Sequence, residues 1–79
     1  MKVEFITREN CSLCDQAERL LAGWAGEFAL DVDVVDVDQD QALYDLFNER
    51  VPVLRNGAGE VLAEGRWAAE PPGGLFNEA

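Results

Sequence analysis

The chain opens with "KVEFIT" (Lys2 to Thr7), rich in β-branched and aromatic residues, which predicts a strand. Leu13, Ala17, Leu20, Leu21 and Trp24 then recur at helical spacing and predict an amphipathic helix from about Cys11 to Trp24. Gly23 and Gly26 are expected to loosen and end it. "FALDVDVVDVD" (Phe28 to Asp38) alternates apolar and polar positions, the period of a half-buried strand. The alternation slips one place at Val34-Val35, through a β-bulge or through an approach segment before the true strand. Asp40 is an expected N-cap for a second helix that carries Leu43, Leu46 and Phe47 inward and ends near Arg50. "VPVL" and "EVLA" are short apolar runs around "RNGAG", whose Asn56-Gly57 signals a hairpin turn. Beyond Gly65 the pattern fades: "AAEPPGG" breaks any long helix, and "LFNEA" supplies at most a turn or so. The predicted order is β-α-β-α-β-β with an irregular tail.

Trp24 continues the apolar stripe of the first helix, so core packing is its expected role. Trp67, with Leu75 and Phe76, is expected to cover a sheet face. Left open, that face would favour self-association.

Composition narrows the functional classes. Seventy-nine residues, 48% of them hydrophobic, suit one small domain with a modest core. No signal-peptide pattern and no bilayer-spanning apolar run is present, so a cytoplasmic protein away from membranes is expected. A net charge of −10 disfavours nucleic acid and anionic membrane surfaces as partners. With no histidine, the usual neutral-pH base and metal ligand are missing, and so is any Cys-His or Ser-His-Asp arrangement.

Two cysteines make no disulfide framework, but Cys11 and Cys14 form a Cys-x-x-Cys pair where strand gives way to helix. Unpaired N–H groups and the helix dipole at that junction stabilise a thiolate, the nucleophilic form. Cys14, about one turn on, is near enough to attack a mixed disulfide on Cys11. Buried and metal-binding pairs share the spacing, and they stay open on these residues alone. Val51-Pro52 is a second signal, because proline donates no ladder hydrogen bond. A cis bond that leaves the backbone of Val51 to pair with an incoming peptide would account for it. A trans proline merely starting the strand would account for it equally.

"TRENCSLCDQAERLL", the following "VDVDQD", then "VPVL" and a downstream glycine resemble the glutaredoxin branch of the thioredoxin superfamily, in particular the short bacterial glutaredoxin-like proteins. The resemblance covers residues 1 to about 66 and implies an α/β, thioredoxin-like fold. That fold is a four-stranded mixed sheet with helices on both faces and a shortened or absent third helix. It implies a glutaredoxin-like domain over 1–66, with 67–79 an irregular tail packed on it. By analogy, Cys11 attacks, Cys14 resolves, and a cis Pro52 with the backbone of Val51 holds the substrate. Departures from the family pattern are local. Ser12-Leu13 replaces Pro-Tyr, Asp15 stands where a basic residue is common, and Arg50 replaces the threonine before Val-Pro. Gly65, Arg66 and Trp67 replace a Gly-Gly and acidic pair that helps hold glutathione.

Three of the six cationic side chains, Arg8, Arg50 and Arg66, fall in loops that converge on the active edge of such a fold. With Gly65 they are candidate substrate-binding residues. A positive patch there would attract an anionic partner such as glutathione, whereas Glu9 and Asp15 oppose it. The plainer reading has Arg50 neutralising a helix C-terminus and Arg66 solvated.

Metal readings are weaker. Asp36, Asp38 and Asp40 match the start of a calcium loop, but Gln41 and Phe47 occupy its glycine and glutamate positions. An acidic strand face leading into a helix start is the plainer account. Two thiols without histidine do not complete a zinc site. A zinc or iron–sulfur site would need a second chain, carboxylates or an added thiol. The expected function is thus a small thiol–disulfide oxidoreductase with no tightly bound cofactor, reduced by glutathione or a dithiol. Its partners would be a disulfide-containing protein or a glutathione mixed disulfide. The rival is a non-catalytic thioredoxin-fold binding module, or a dimer bridging a metal or cluster. A monomer is expected, with weak dimerisation as the variation.

Overall fold

The computed structural model describes residues 1–75. Strand β1 (Lys2–Thr7) is central, β2 (Asp31–Asp36) pairs with it in parallel, and β3 (Val53–Asn56) lies antiparallel on its other side. β4 (Val61–Glu64) closes a four-stranded mixed sheet of order β2-β1-β3-β4. Helices α1 (Ser12–Phe28) and α2 (Gln41–Phe47) complete the β-α-β-α-β-β order.

Side chains alternate across a strand, so β1 builds two cores. Val3 and Phe5 meet Ala17, Leu21 and Trp24 of α1 on one face, with Leu54. Ile6 points the other way, to Val37, Phe47 of α2 and Val53. Burying one such side chain contributes about 1.5–3 kcal/mol.

This two-sided burial explains the slip in the Val34-Val35 alternation. Pairing of β1 with β2 is unbroken from Lys2–Asp31 to Thr7–Asp36, so there is no bulge. Val32 packs on the α1 face and Val35 on the α2 face. The strand changes the face it buries, and Val34, at the sheet edge, is 62% exposed.

Three element boundaries differ from the sequence expectation. α1 runs through Gly23 and Gly26 to Phe28 and stops at Ala29, in the left-handed conformation (φ 52°). Each internal glycine costs about 1 kcal/mol relative to alanine, but Trp24 and Phe28 pack on the core and carry the helix past them. The segment from Phe28 to Leu30 therefore belongs to the helix end and its cap, not to the second strand. α2 ends at Phe47 and turns only Leu43 and Phe47 inward; Leu46 is 57% exposed. The hairpin turn spans Asn56 to Glu60, its positive φ falling on Gly59 rather than Gly57. Asn56 Oδ1 accepts from the Ala58 and Glu60 amides and shapes it.

Among the described residues no third α-helix follows β4. Trp67 and Leu75 fill its place in the α1-side core, and a 3-10 turn (Gly73–Leu75) delivers Leu75. Phe76, expected to join them, lies outside the described residues. Trp67 stacks on Trp24 with ring centroids 5.5 Å apart and meets Phe5 edge-on at 5.6 Å. Aromatic pairs of this kind add about 0.5–1.5 kcal/mol beyond burial. Among the described residues no helix is long and apolar enough to cross a membrane.

Candidate functional site

The C-terminal end of β1 and the start of β3 lie side by side, because Ile6 pairs with Val53. This register brings the loop holding Cys11 and the loop holding Pro52 to the same end of the sheet. Past β1 the chain turns at Asn10, whose φ of 55° is one of the few left-handed conformations a polar residue tolerates well. Cys11 follows as the N-cap of α1.

The cysteine Sγ takes the role that a serine or aspartate oxygen has at most N-caps. Cys11 Sγ accepts from the Cys14 amide at 3.1 Å, and the Cys11 carbonyl accepts from the Asp15 amide at 3.0 Å. Cys11 and Cys14 are joined as a disulfide. Their exposure is unequal: Cys11 is half-buried, whereas Cys14 is 2% exposed.

Val51–Pro52 is a cis peptide, and Pro52 is buried. The Pro52 carbonyl accepts from the Gly65 amide at 2.9 Å and from Trp67 Nε1 at 3.1 Å. Gly65 has φ 65° and also donates to the Arg50 carbonyl at 3.0 Å. It thereby fastens the end of β4 to the loop before β3. The backbone of Val51 is not wholly available for an incoming strand, contrary to expectation. Its amide donates to the Phe47 carbonyl at 3.1 Å, because the last turn of α2 winds on past the helix end. The carbonyl of Val51 accepts no backbone hydrogen bond among the described residues.

Arg8 and Arg50 do not form a free positive patch. Arg8 grips Asp38 with Nε at 3.0 Å and Nη2 at 2.8 Å, and bonds the Asn48 carbonyl at 3.1 Å and side chain at 2.7 Å. Arg50 makes a two-point pair with Glu64 and lies over the Phe47 ring at 4.9 Å. The hydrogen bonds and charge of these partners raise both arginine pKa values and hold the Asp38 and Glu64 carboxyls below their ordinary range. Arg66 is exposed and pairs with no carboxylate among the described residues. Sequence reasoning found the three arginines but missed Asp38, Asn48 and Glu64, which bind two of them. Nothing local marked them: Asp38 is one acidic residue among many, Asn48 is an amide at the end of α2, and Glu64 is the last residue of β4.

The aspartates of the calcium-like run are engaged within the chain. Asp36 caps the Asp38 amide, Asp38 holds Arg8, and Asp40 caps the Leu43 amide of α2. Among the described residues no three His, Cys, Asp or Glu side chains converge where a metal could sit.

A four-stranded sheet of this order, with a Cys-x-x-Cys pair capping the first helix opposite a cis proline, defines a thioredoxin-type fold. The sequence matches the family described as Glutaredoxin-like domain (DUF836) over residues 2–68. The chain belongs to that glutaredoxin-like domain family. It is similar to protein XcR50 of X. campestris, whose crystal structure has 34% sequence identity, covering 85% of this chain and 84% of that one with a TM-score of 0.70. Protein Ne2328 of Nitrosomonas europaea has 28% identity over 80% of this chain and 75% of its own, also with a TM-score of 0.70. Thioredoxin 1 of Thermosipho africanus, at 20% identity, covers 86% of this chain and 79% of its own with a TM-score of 0.61, and shares the fold. No curated protein matches the sequence.

Proposed function

We propose that the protein is a small thiol–disulfide oxidoreductase in which Cys11 attacks and Cys14 resolves. The observation that carries this reading is the asymmetry of the pair: a half-buried cysteine at a helix N-cap, backed by a fully buried one within bonding distance. A sulfur so placed is stabilised as thiolate by the Cys14 amide and the helix dipole. A thiolate attacking a disulfide first yields a mixed disulfide, and the neighbouring thiol then displaces the substrate sulfur. Val51, Pro52 and Gly65 would form the docking edge, with the Val51 carbonyl as its free main-chain acceptor. No tightly bound cofactor is needed, and a low-molecular-weight thiol or a dithiol protein would return the electrons.

A second reading, a binding module whose thiols do not turn over, is favoured by one feature. The Val51 amide is already bonded to Phe47, so a docked peptide would find half the usual main-chain contacts there. Trapping separates the two. A reduced Cys14→Ser variant mixed with a disulfide substrate should accumulate a mixed disulfide on Cys11, visible by intact mass. The Cys11→Ser variant should form far less. Equal labelling of both variants, or none of either, would contradict the oxidoreductase reading.

A further inference from the structure

The ion pairs around Cys11 determine the charge an approaching disulfide meets. Arg8 and Arg50 are each held by a carboxylate, so from a distance each contributes a dipole rather than a positive charge. What remains around this edge is acidic. Glu9 is exposed in the turn that leads to Cys11, and Asp15 is exposed in the first turn of α1. Glu49 is exposed beside Arg50. Against these three carboxylates stand Arg66 and, one turn along α1 from Asp15, Arg19, neither paired with a carboxylate among the described residues, within a chain of net charge −10. The helix dipole acts on Cys11 Sγ within about one turn. The field of fixed charges reaches about 10 Å at roughly 0.1 M salt and about 30 Å at roughly 0.01 M, and governs encounter. Thiolate stabilisation and partner attraction therefore have opposite electrostatic signs here.

We propose that this edge selects cationic disulfides, such as a cystine flanked by Lys or Arg in a polypeptide, and discriminates against anionic ones, with Glu9 and Asp15 as specificity-determining residues. The inference rests on the oxidoreductase reading above. In the reaction, Cys11 thiolate attacks one sulfur of R–S–S–R, the Cys11–S–S–R bond forms, and RS⁻ leaves. Cys14, losing its proton to solvent, attacks the Cys11 sulfur and releases the second RS⁻. The substrate gains two electrons, and the protein is left as the Cys11–Cys14 disulfide. Glu9 and Asp15 are not members of the reacting pair; their charge opposes the Cys11 thiolate equally for every substrate, so only their effect on encounter distinguishes one disulfide from another.

The test compares three small disulfides on the reduced protein: cystamine (cationic), bis(2-hydroxyethyl) disulfide (neutral) and 3,3′-dithiodipropionate (anionic). Each rate is divided by that of the same disulfide with dithiothreitol, which removes differences in leaving-group pKa. At roughly 10 mM salt the normalised cystamine rate should exceed the dithiodipropionate rate about tenfold, falling to within about twofold at roughly 1 M. The double variant Glu9→Gln/Asp15→Asn should at least halve the low-salt ratio, and Glu9→Asp/Asp15→Glu should keep it. A ratio at or below one, or a ratio unmoved in the neutralised variant, overturns the proposal. If the neutral disulfide reacts without charge discrimination, only this inference falls. If no disulfide reacts, the oxidoreductase reading falls and takes it along.

Discussion

Trp67 Nε1 donates to the Pro52 carbonyl at 3.1 Å, tying the segment after β4 to the proline that opens β3. The same indole stacks on Trp24 of α1, so one side chain joins the helix carrying the cysteines to the loop facing them. Trp67→Phe keeps an aromatic ring but loses the hydrogen bond and some volume. It should cost about 1–2 kcal/mol in urea denaturation. Trp67→Ala should cost about 3–5 kcal/mol, as for other buried aromatics. Equal costs would mean that the hydrogen bond, not the packing, is what Trp67 supplies.

Gly65 holds the same loop from its other side. A Cβ placed there meets nothing within 4 Å, so the cost of Gly65→Ala comes from its φ of 65° alone. The expected loss is about 1–2 kcal/mol, with Gly65→Asn milder because asparagine tolerates this conformation better. A neutral Gly65→Ala would contradict the backbone geometry of the loop.

Acid should loosen both loops at the site. Asp38 and Glu64 have carboxyl pKa values lowered in the folded state by hydrogen bonds from Arg8 and Arg50. A carboxyl lowered on folding contributes stability above its unfolded pKa, and that contribution is lost as pH falls through the folded one. The two carboxylate side chains are 44% and 45% exposed, so the effect is screened by salt. The urea midpoint should therefore drop as pH falls below about 4, more steeply for wild type than for an Asp38→Asn/Glu64→Gln double variant. Parallel profiles for the two proteins would contradict the ion-pair assignment.

The inward face of α2 can be checked by a pair of substitutions. Phe47, 4% exposed, should lose about 3–5 kcal/mol on replacement by alanine. Leu46, 57% exposed one position earlier, should change stability by less than about 0.5 kcal/mol as Leu46→Gln. The reverse ranking would mean that the helix is rotated.

The element order and the cysteine position were legible because they rest on local signals: periodicity, the Cys-x-x-Cys spacing at a strand-to-helix junction, and Asn56 with its turn. Leu46 was misassigned because leucines at 43 and 46 fit a helical stripe equally well, and a two-turn helix buries only a narrow one. The extension of α1 through Gly23 and Gly26 was hidden for a related reason. Glycine weakens a helix locally, while Phe28, which keeps it going, gains only from tertiary packing. The charge at the site was least legible of all. Arg8 and Asp38 are 30 residues apart, and nothing local tells a free arginine from a paired one. The bond from the Val51 amide to Phe47 depends on how α2 unwinds, which composition does not encode.

The central claim is that Cys11 is a poised nucleophile, and the pH dependence of its alkylation tests that most directly. The measurement uses the reduced protein with a Cys14→Ser variant to isolate the site. The account predicts a midpoint at least about one pH unit below the free-thiol value of about 8.5. A midpoint at or above that value would contradict it, and would mean that this chain keeps the shape of its family without the reactivity.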